Sequence, residues 1–505
     1  MTTTIFLIIL IVLLLLAIFW LYLRSSYQYF KKRNIPYLEP HWLLGNANDL
    51  ILGRKSILEF QRCIYKATKP TKLLGTFMFQ KPTLYVSELE WIKLMLGRDS
   101  AHFFDRGLKI AYDDEPLTMN LFHLEGERYK IARNKVLPAF TLNGVLILFP
   151  LLLESAINLQ HYLGQVAKTT EDINLREVMS RYAAEVIGKC AFGLKKGPLT
   201  GNNDKFYHMS KRIFMPRLRT IIKLILPHLP KFITELFDIK MVASDIAEYF
   251  SEIIYDELKH RRQQNKRPTD FLSYMMDVQD KDNEECTDIM PITDELIAAL
   301  CFMLFLAGYE NSTVVLCAAI FELGRNPEVQ EKLYQEIHST CGDDLSNLTM
   351  NKLKKMPYLH KVVCETLRLY PPATAMVREC TADYQIPGTE IFIEKGLQVV
   401  IPFCAMNVDP EYFPTELSYD PENFSEKAIQ SRSRYAFLPF GEGPRACGGR
   451  KLGMIQMKVG LSALVLKYQF FPSPKMKLPV TFEKRAFIMS IEGGTWTRCK
   501  PRCQN

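Results

Sequence analysis

The stretch FLPFGEGPRACGGRKLG, residues 437–453, constrains this chain more than any other. It matches the sequence patterns of only two kinds of binding site, a dinucleotide site and a metal-binding thiolate. Gly441, Gly443 and Ala446 match the dinucleotide pattern G-x-G-x-x-G/A, which needs a strand before it and an acidic residue about 20 positions after it. The chain reads LSALVLKYQ at that distance and has no acidic residue there. A dinucleotide site therefore lacks its confirming partner.

The cysteine of the same stretch indicates a different kind of site. Two glycines follow Cys447, so the backbone can approach closely and direct its N–H groups toward the sulfur. The next segment predicts a helix, whose N-terminal dipole stabilises a negative sulfur. A single thiolate cannot build a zinc or iron–sulfur site, but it can be the axial ligand of a haem.

The surrounding residues make that indication specific. The pattern F-x-x-G-x-R-x-C-x-G is complete at Phe440, Gly443, Arg445, Cys447 and Gly449. It resembles the haem-binding loop of the cytochrome P450 family. The resemblance implies that haem b is the cofactor and that Cys447 is the metal ligand of its iron. It also implies that Arg445 pairs with a haem propionate and that Phe440 packs near the sulfur.

Other motifs of the same family follow in the expected order. The segment ETLR places Glu365 and Arg368 one helical turn apart; alone they would predict an exposed ion pair, and in the family they are a structural pair near the haem. The segment GERYKIARNK resembles the W-x-x-x-R helix beside the haem, so Arg133 matches a propionate-binding arginine and Tyr129 stands where tryptophan is usual. Arg378, after the PP turn, matches a second propionate partner.

The oxygen-activating helix of the family reads A/G-G-x-D/E-T, and this chain has AGYENS. By resemblance Ala307, Gly308, Glu310 and Asn311 are catalytic. Gly308 leaves the haem face uncrowded, Glu310 is the acid of a proton relay, and Asn311 replaces the usual threonine. Because an amide differs from a hydroxyl in proton delivery, Asn311 is either a tolerated variant assisted by water or a sign of a different reaction.

The implied function is a monooxygenase that oxidises apolar small molecules, such as xenobiotics, insecticides, hormones or lipids, with O₂. An NADPH-dependent reductase would supply electrons, with cytochrome b5 as a second candidate donor, and Arg450 and Lys451 are candidates to dock it. The alternatives are a haem-thiolate isomerase or lyase acting on a hydroperoxide, and a membrane haem-binding protein without turnover. In its overall sequence features, the chain most resembles the insect microsomal members of the family. The candidate substrate-pocket residues are Phe122, Phe302, Phe305, Ala373 and Met489.

The start of the chain predicts a membrane anchor. Residues 5–23 carry no charge and are long enough to cross a bilayer core, and Arg24 and the KKR segment follow them. Positive charge on that side keeps the rest of the chain cytosolic. We therefore expect a signal anchor over residues 1–24 and a basic, proline-rich hinge over 25–46. A single haem-thiolate catalytic domain over 47–505 would lie on the cytosolic side of the endoplasmic reticulum membrane.

Helical signals dominate the middle of the chain, and PTLYVSE and LQVVIPF predict strands. The expected fold class is mainly α with a small β portion (α+β), as in the cytochrome P450 fold, with an N-terminal transmembrane anchor. The net charge is +8, but the sequence contains no block of five basic residues, and this argues against nucleic-acid binding. Residues 218–237 are apolar with two prolines, so they are either core or a face resting on the bilayer.

Overall fold

The computed structural model describes residues 2–108, 115–201, 204–214, 240–264, 267–285 and 290–502. The apolar segment 218–237 lies outside the described residues, so its two interpretations stay predictions.

Helices account for most of the described chain. They are α1 (Thr2–Ser26), α2 (Asn48–Ile51), α3 (Ile57–Thr68), α4 (Leu89–Lys93), α5 (Gly126–Val136), α6 (Leu142–Thr169), α7 (Leu175–Phe192), α8 (Asp204–Phe214), α9 (Ser244–Arg262), α10 (Phe271–Glu285), α11 (Asp294–Arg325), α12 (Pro327–Cys341), α13 (Met350–Lys354), α14 (Pro357–Leu369), α15 (Phe403–Met406), α16 (Glu426–Gln430) and α17 (Arg450–Lys467).

The strands are short and form three small sheets. They are β1 (Leu73–Met78), β2 (Lys81–Val86), β3 (Ile173–Asn174), β4 (Met376–Glu379), β5 (Tyr384–Gln385), β6 (Phe392–Ile393), β7 (Gln398–Ile401), β8 (Tyr468–Pro472) and β9 (Trp496–Pro501). The sheets have the orders β1-β2-β7-β4, β3-β9-β8 and β5-β6. This content confirms the mainly α fold class with a small β portion.

The contacts divide the chain into two compact units, and the first comprises residues 1–107 and 375–406. Its four-stranded sheet begins with the antiparallel β1–β2 hairpin, continues with β7 parallel to β2, and ends with β4 antiparallel to β7. Part of the predicted hinge packs on this sheet. The Phe30 ring is buried 5.2 Å from the Phe77 ring, and Arg33 Nη2 lies 2.6 Å from Glu394 Oε1.

The second unit comprises residues 108–374 and 407–505 and surrounds α11. Thr293 caps this helix by accepting a hydrogen bond from the Leu296 backbone N–H, and Asp294 and Glu295 occupy its positive first turn. The helix packs against α7, α9, α10 and α17. Because it is apolar around most of its circumference, burial inside a helical core is its stable environment.

Among the described residues, α6 and α11 have the length and apolar composition of a membrane span. Most of α11 is buried in the second unit, as expected for a core helix. The predicted anchor falls on α1, which is helical from Thr2 to Ser26. The division into residues 1–24, 25–46 and 47–505 stays a prediction.

Candidate active site

The cysteine loop lies in the second unit and leads into α17. Gly441 and Gly443 turn the chain with φ of 69° and 79°, a region that favours glycine. The Cys447 backbone N–H then donates to Phe440 O at 2.8 Å and closes the loop. The side chain of Cys447 is exposed, three residues before the first turn of α17. The loop therefore presents the sulfur near a helix N-terminus, which favours the thiolate.

Two arginines meet at the ring and hydroxyl of Tyr129 on α5. The guanidinium of Arg445 is buried 3.4 Å from the centre of the Tyr129 ring, and its Nη1 donates to Leu124 O at 2.8 Å. Arg133 Nη1 donates to the Tyr129 hydroxyl at 2.7 Å, and that hydroxyl donates to Pro444 O at 2.9 Å. Tyr129 thus ties α5 to the cysteine loop and holds two positive charges together.

The Glu365–Arg368 pair on α14 is buried, so it is not the exposed ion pair that its spacing alone would predict. Arg368 Nε and Nη2 donate to the two Glu365 oxygens at 2.7 and 2.6 Å. Glu365 also accepts hydrogen bonds from the Asp420 backbone N–H and from Asn423 Nδ2. The pair therefore connects α14 to the segment that precedes the cysteine loop.

Away from its ends, helix α11 is buried except near its middle. Ala307 is exposed there, while Met303, Leu306, Gly308 and Asn311 are partly exposed; we call Met303, Leu306, Ala307 and Asn311 the open stripe. Met303, Ala307 and Asn311 are four residues apart, so they share one face and span roughly 12 Å. The stripe therefore offers a mainly apolar surface near the middle of the helix.

Glu310 points away from the open stripe. Its side chain is 4 % exposed, and its Oε1 accepts a hydrogen bond from Arg176 Nη2 of α7. Arg176 Nη1 also donates to Ser490 Oγ at 2.7 Å. Burial raises the pKa of Glu310, and Arg176 opposes that rise. Arg176 and Ser490 line a cavity of about 10 Å³, the size of about one water.

Gly308 contributes to helix packing, in addition to the role beside the haem that the sequence predicts. A Cβ at Gly308 would overlap Ile187 Cδ1 on α7, so a larger residue there would require the Ile187 side chain to move. Gln456 of α17 is fully buried there, and its Nε2 donates to Gly308 O at 3.4 Å. Within the described residues the Gln456 Oε1 has no hydrogen-bond partner. Arg176 and Gln456 were not predictable from the sequence, because no local motif surrounds either.

A family model named Cytochrome P450 matches residues 35–498 of the chain. The chain belongs to the cytochrome P450 family. Probable cytochrome P450 6a14 of Drosophila melanogaster is 29 % identical over 484 residues, which cover 94 % of this chain and 95 % of that protein. Cytochrome P450 6a8 is 29 % identical over 492 residues, and probable cytochrome P450 6a20 is 31 % identical over 480 residues, both from the same insect. These relatives confirm the resemblance to insect members.

Members of this family are haem-thiolate monooxygenases. The residues of the second unit fit a bound haem. Cys447 offers an exposed soft donor, and the charges of Arg133 and Arg445 suit the carboxylates of a haem. The open stripe of α11 gives an apolar surface. When bound, the haem supplies the redox chemistry that activates oxygen. P450s generally take electrons from a redox partner and act with O₂ on hydrophobic substrates.

Three of the five predicted pocket residues are buried, and two of these pack in an aromatic core. Phe302 and Phe305 are fully buried in an aromatic core with Phe250, at ring distances of 5.3 and 5.0 Å. Helical geometry places Phe305 roughly 160° from Ala307, across α11 from the middle of the open stripe, whereas Phe302 lies one turn before Leu306, at the edge of that stripe. Both buried rings contribute packing, and their pocket role stays a prediction; the apolar residues of the open stripe are Met303, Leu306 and Ala307.

The other predicted residues have separate environments. Phe122 and Ala373 are exposed in the second unit, whereas Met489 is buried and its backbone N–H donates to Pro372 O. Arg378 lies on β4 of the first unit, where its Nη1 donates to Val377 O at 2.8 Å. The pocket role of Phe122, Ala373 and Met489 and the propionate role of Arg378 stay predictions.

Proposed function

We propose that this chain is a microsomal monooxygenase that oxidises apolar small molecules, with Cys447 as the thiolate ligand of its haem. The observation that carries the proposal is the exposed sulfur of Cys447 in a loop closed by the Cys447–Phe440 hydrogen bond, directly before α17. The complete loop motif and the family match agree with it. Arg133 and Arg445 hold the propionates in this proposal, and Gly449 lets the loop backbone stay close to the sulfur.

Electrons come from an NADPH-dependent reductase in this proposal. Arg450 and Lys451 are exposed in the first turn of α17, and that turn contains no acidic residue. Positive charge at a helix N-terminus opposes the helix dipole, so helix stability does not explain these two residues. An acidic docking partner does explain them, because complementary charges guide association.

The proposed location is the cytosolic face of the endoplasmic reticulum membrane. Helix α1 has 25 residues, which gives a length of roughly 37 Å, and a bilayer core needs about 30 Å. Large apolar side chains such as Phe6 and Leu14 are exposed on it. Residues 1–24 serve as the anchor, residues 25–46 as the connection, and residues 47–505 as the catalytic domain.

The test uses the full chain in membranes and the carbon monoxide difference spectrum of the reduced protein. We expect wild type to give a thiolate-type spectrum and Cys447→Ser to lose it. Cys63→Ser is the matched control, because Cys63 is also exposed but lies on α3 of the first unit. A thiolate-type spectrum in Cys447→Ser would assign the ligand to another residue.

Turnover then separates the reaction classes. A monooxygenase forms product only with O₂, NADPH and reductase together. An isomerase or lyase converts a hydroperoxide without reductase or NADPH, and a haem-binding protein without turnover does neither. Oxidation of a lipophilic probe that depends on all three components supports the proposal, and either of the other results contradicts it.

A further inference from the structure

The side chain of Asn311 has a fixed orientation on the open stripe. Its Nδ2 donates to Ala307 O, one turn earlier on α11, at 2.8 Å. Only the nitrogen end of an amide can donate to a carbonyl, so this hydrogen bond determines which end is Oδ1. Within the described residues no hydrogen bond to Oδ1 is found. Asn311 therefore keeps an acceptor and one remaining N–H for a molecule outside the chain.

No other polar side chain of this helical stretch shares the open stripe. Met303, Leu306 and Ala307 are apolar. Glu310 is buried against Arg176, and Thr313 is buried with its hydroxyl donating to Tyr309 O. A substrate lying along this face of α11 therefore meets apolar surface and one amide.

A fixed acceptor discriminates among apolar molecules. The amide oxygen cannot rotate to become a donor, unlike a hydroxyl, so it is satisfied only by an incoming O–H or N–H group. A site that binds a hydroxyl in this way rejects an analogue without one, because the analogue leaves the polar group of the site unpaired.

We propose that Asn311 determines substrate specificity: its Oδ1 accepts a hydrogen bond from an apolar substrate that carries a hydroxyl or N–H donor. This inference rests on the proposed function, because it places the substrate beside the open stripe. It assigns the substrate class as lipophilic alcohols and N–H amines rather than plain hydrocarbons, and it prefers an alcohol to its ether, because the ether can accept only from the remaining Nδ2–H and leaves Oδ1 unpaired.

The test compares two probes of one skeleton, 2-(2-naphthyl)ethanol and its methyl ether. Each probe is titrated into the ferric haem-loaded full chain, and the change in the haem spectrum gives a dissociation constant, which needs no turnover. The measured quantity is the dissociation constant of the ether divided by that of the alcohol. One neutral hydrogen bond corresponds to about a threefold to tenfold change in this ratio.

We expect Asn311→Leu, which has similar size and no polar atom, to lower the ratio by that factor. Asn311→Ala is the second variant and should lower it equally if leucine disturbs folding. Met303→Leu is the matched control, because it changes the shape of the open stripe without removing a polar group, and it should leave the ratio unchanged.

The outcomes separate this inference from the proposed function. A thiolate-type carbon monoxide spectrum with equal ratios in wild type, Asn311→Leu and Asn311→Ala overturns the role of Asn311 alone. A ratio that falls as much in Met303→Leu also overturns it, because shape would then explain the preference. A chain without a thiolate-type spectrum overturns the proposed function and this inference together.

Discussion

Replacing Arg176 with leucine tests how Glu310 is held inside the second unit. The Glu310 side chain is 4 % exposed and accepts a hydrogen bond from Arg176 Nη2. Leucine keeps part of the aliphatic stem of arginine but has no donor and no charge. The Arg176→Leu variant therefore leaves a buried carboxyl group without its counter-charge.

The expected loss of folding stability in Arg176→Leu has a definite size and a definite pH dependence. Removing one partner of a buried ion pair costs about 3–5 kcal/mol while the other partner stays charged. Burial raises the pKa of Glu310, and in the variant Arg176 no longer opposes that rise. The folded variant then binds more protons than the unfolded chain above a pH of about 4.3. Its stability therefore falls by up to about 1.4 kcal/mol per pH unit as the pH rises toward the folded-state pKa.

The measurement is the free energy of unfolding in urea, followed by circular dichroism between about pH 5 and pH 8. The pKa of Glu310 is also raised in wild type, so we expect both profiles to fall together until Glu310 ionises in wild type and their difference to grow above that pH. The double variant Arg176→Leu/Glu310→Gln has no titrating group at this position, so its own stability should not fall with pH for this reason. Parallel pH profiles for wild type and Arg176→Leu would refute the argument, as would a double variant that behaves like Arg176→Leu.

Three further substitutions test other contacts. Tyr129→Phe keeps the ring beside Arg445 but removes the hydroxyl that binds Arg133 and Pro444 O. Because α5 is then held less firmly to the cysteine loop, we expect faster haem transfer to an acceptor protein. Tyr129→Trp is the comparison. Gln456→Leu should change the free energy of unfolding by less than about 1 kcal/mol, because it removes both a long hydrogen bond and an unpaired oxygen, whereas Gln456→Glu should destabilise more. Glu365→Gln should lower the free energy of unfolding by about 3–5 kcal/mol, and adding Arg368→Gln should recover part of it.

Local motifs predicted the cysteine loop and the ion pair of α14, because their members lie within a few residues of each other. The loop needs Phe440 and Cys447 seven positions apart, and the structure joins them by one backbone hydrogen bond. Glu365 and Arg368 are one helical turn apart, so their contact follows from helix geometry. Sequence spacing did not reveal that this pair is buried, because burial depends on distant segments that cover it.

Long-range contacts were not predictable in the same way. Arg176 lies 134 positions before Glu310, and no pattern in the sequence connects them. The full burial of Phe302 and Phe305 was not predictable either, because a helix that is apolar on nearly every face gives no periodic signal for its orientation. The exposed stripe became visible only when the neighbours of each residue were known.

The geometry of α11 also explains how neighbouring residues can have separate roles. Glu310 and Asn311 are adjacent in sequence, but successive helix positions point about 100° apart. Glu310 is buried toward α7 with Arg176, whereas Asn311 lies on the open stripe with one N–H already donated to Ala307 O. A proton held by Glu310 therefore cannot pass directly through the Asn311 amide to a molecule on that stripe. It has to travel through water, which bridges polar groups at little cost in free energy. In the proposed function, the amide therefore recognises the substrate, while the proton passes through the buried acid and its arginine.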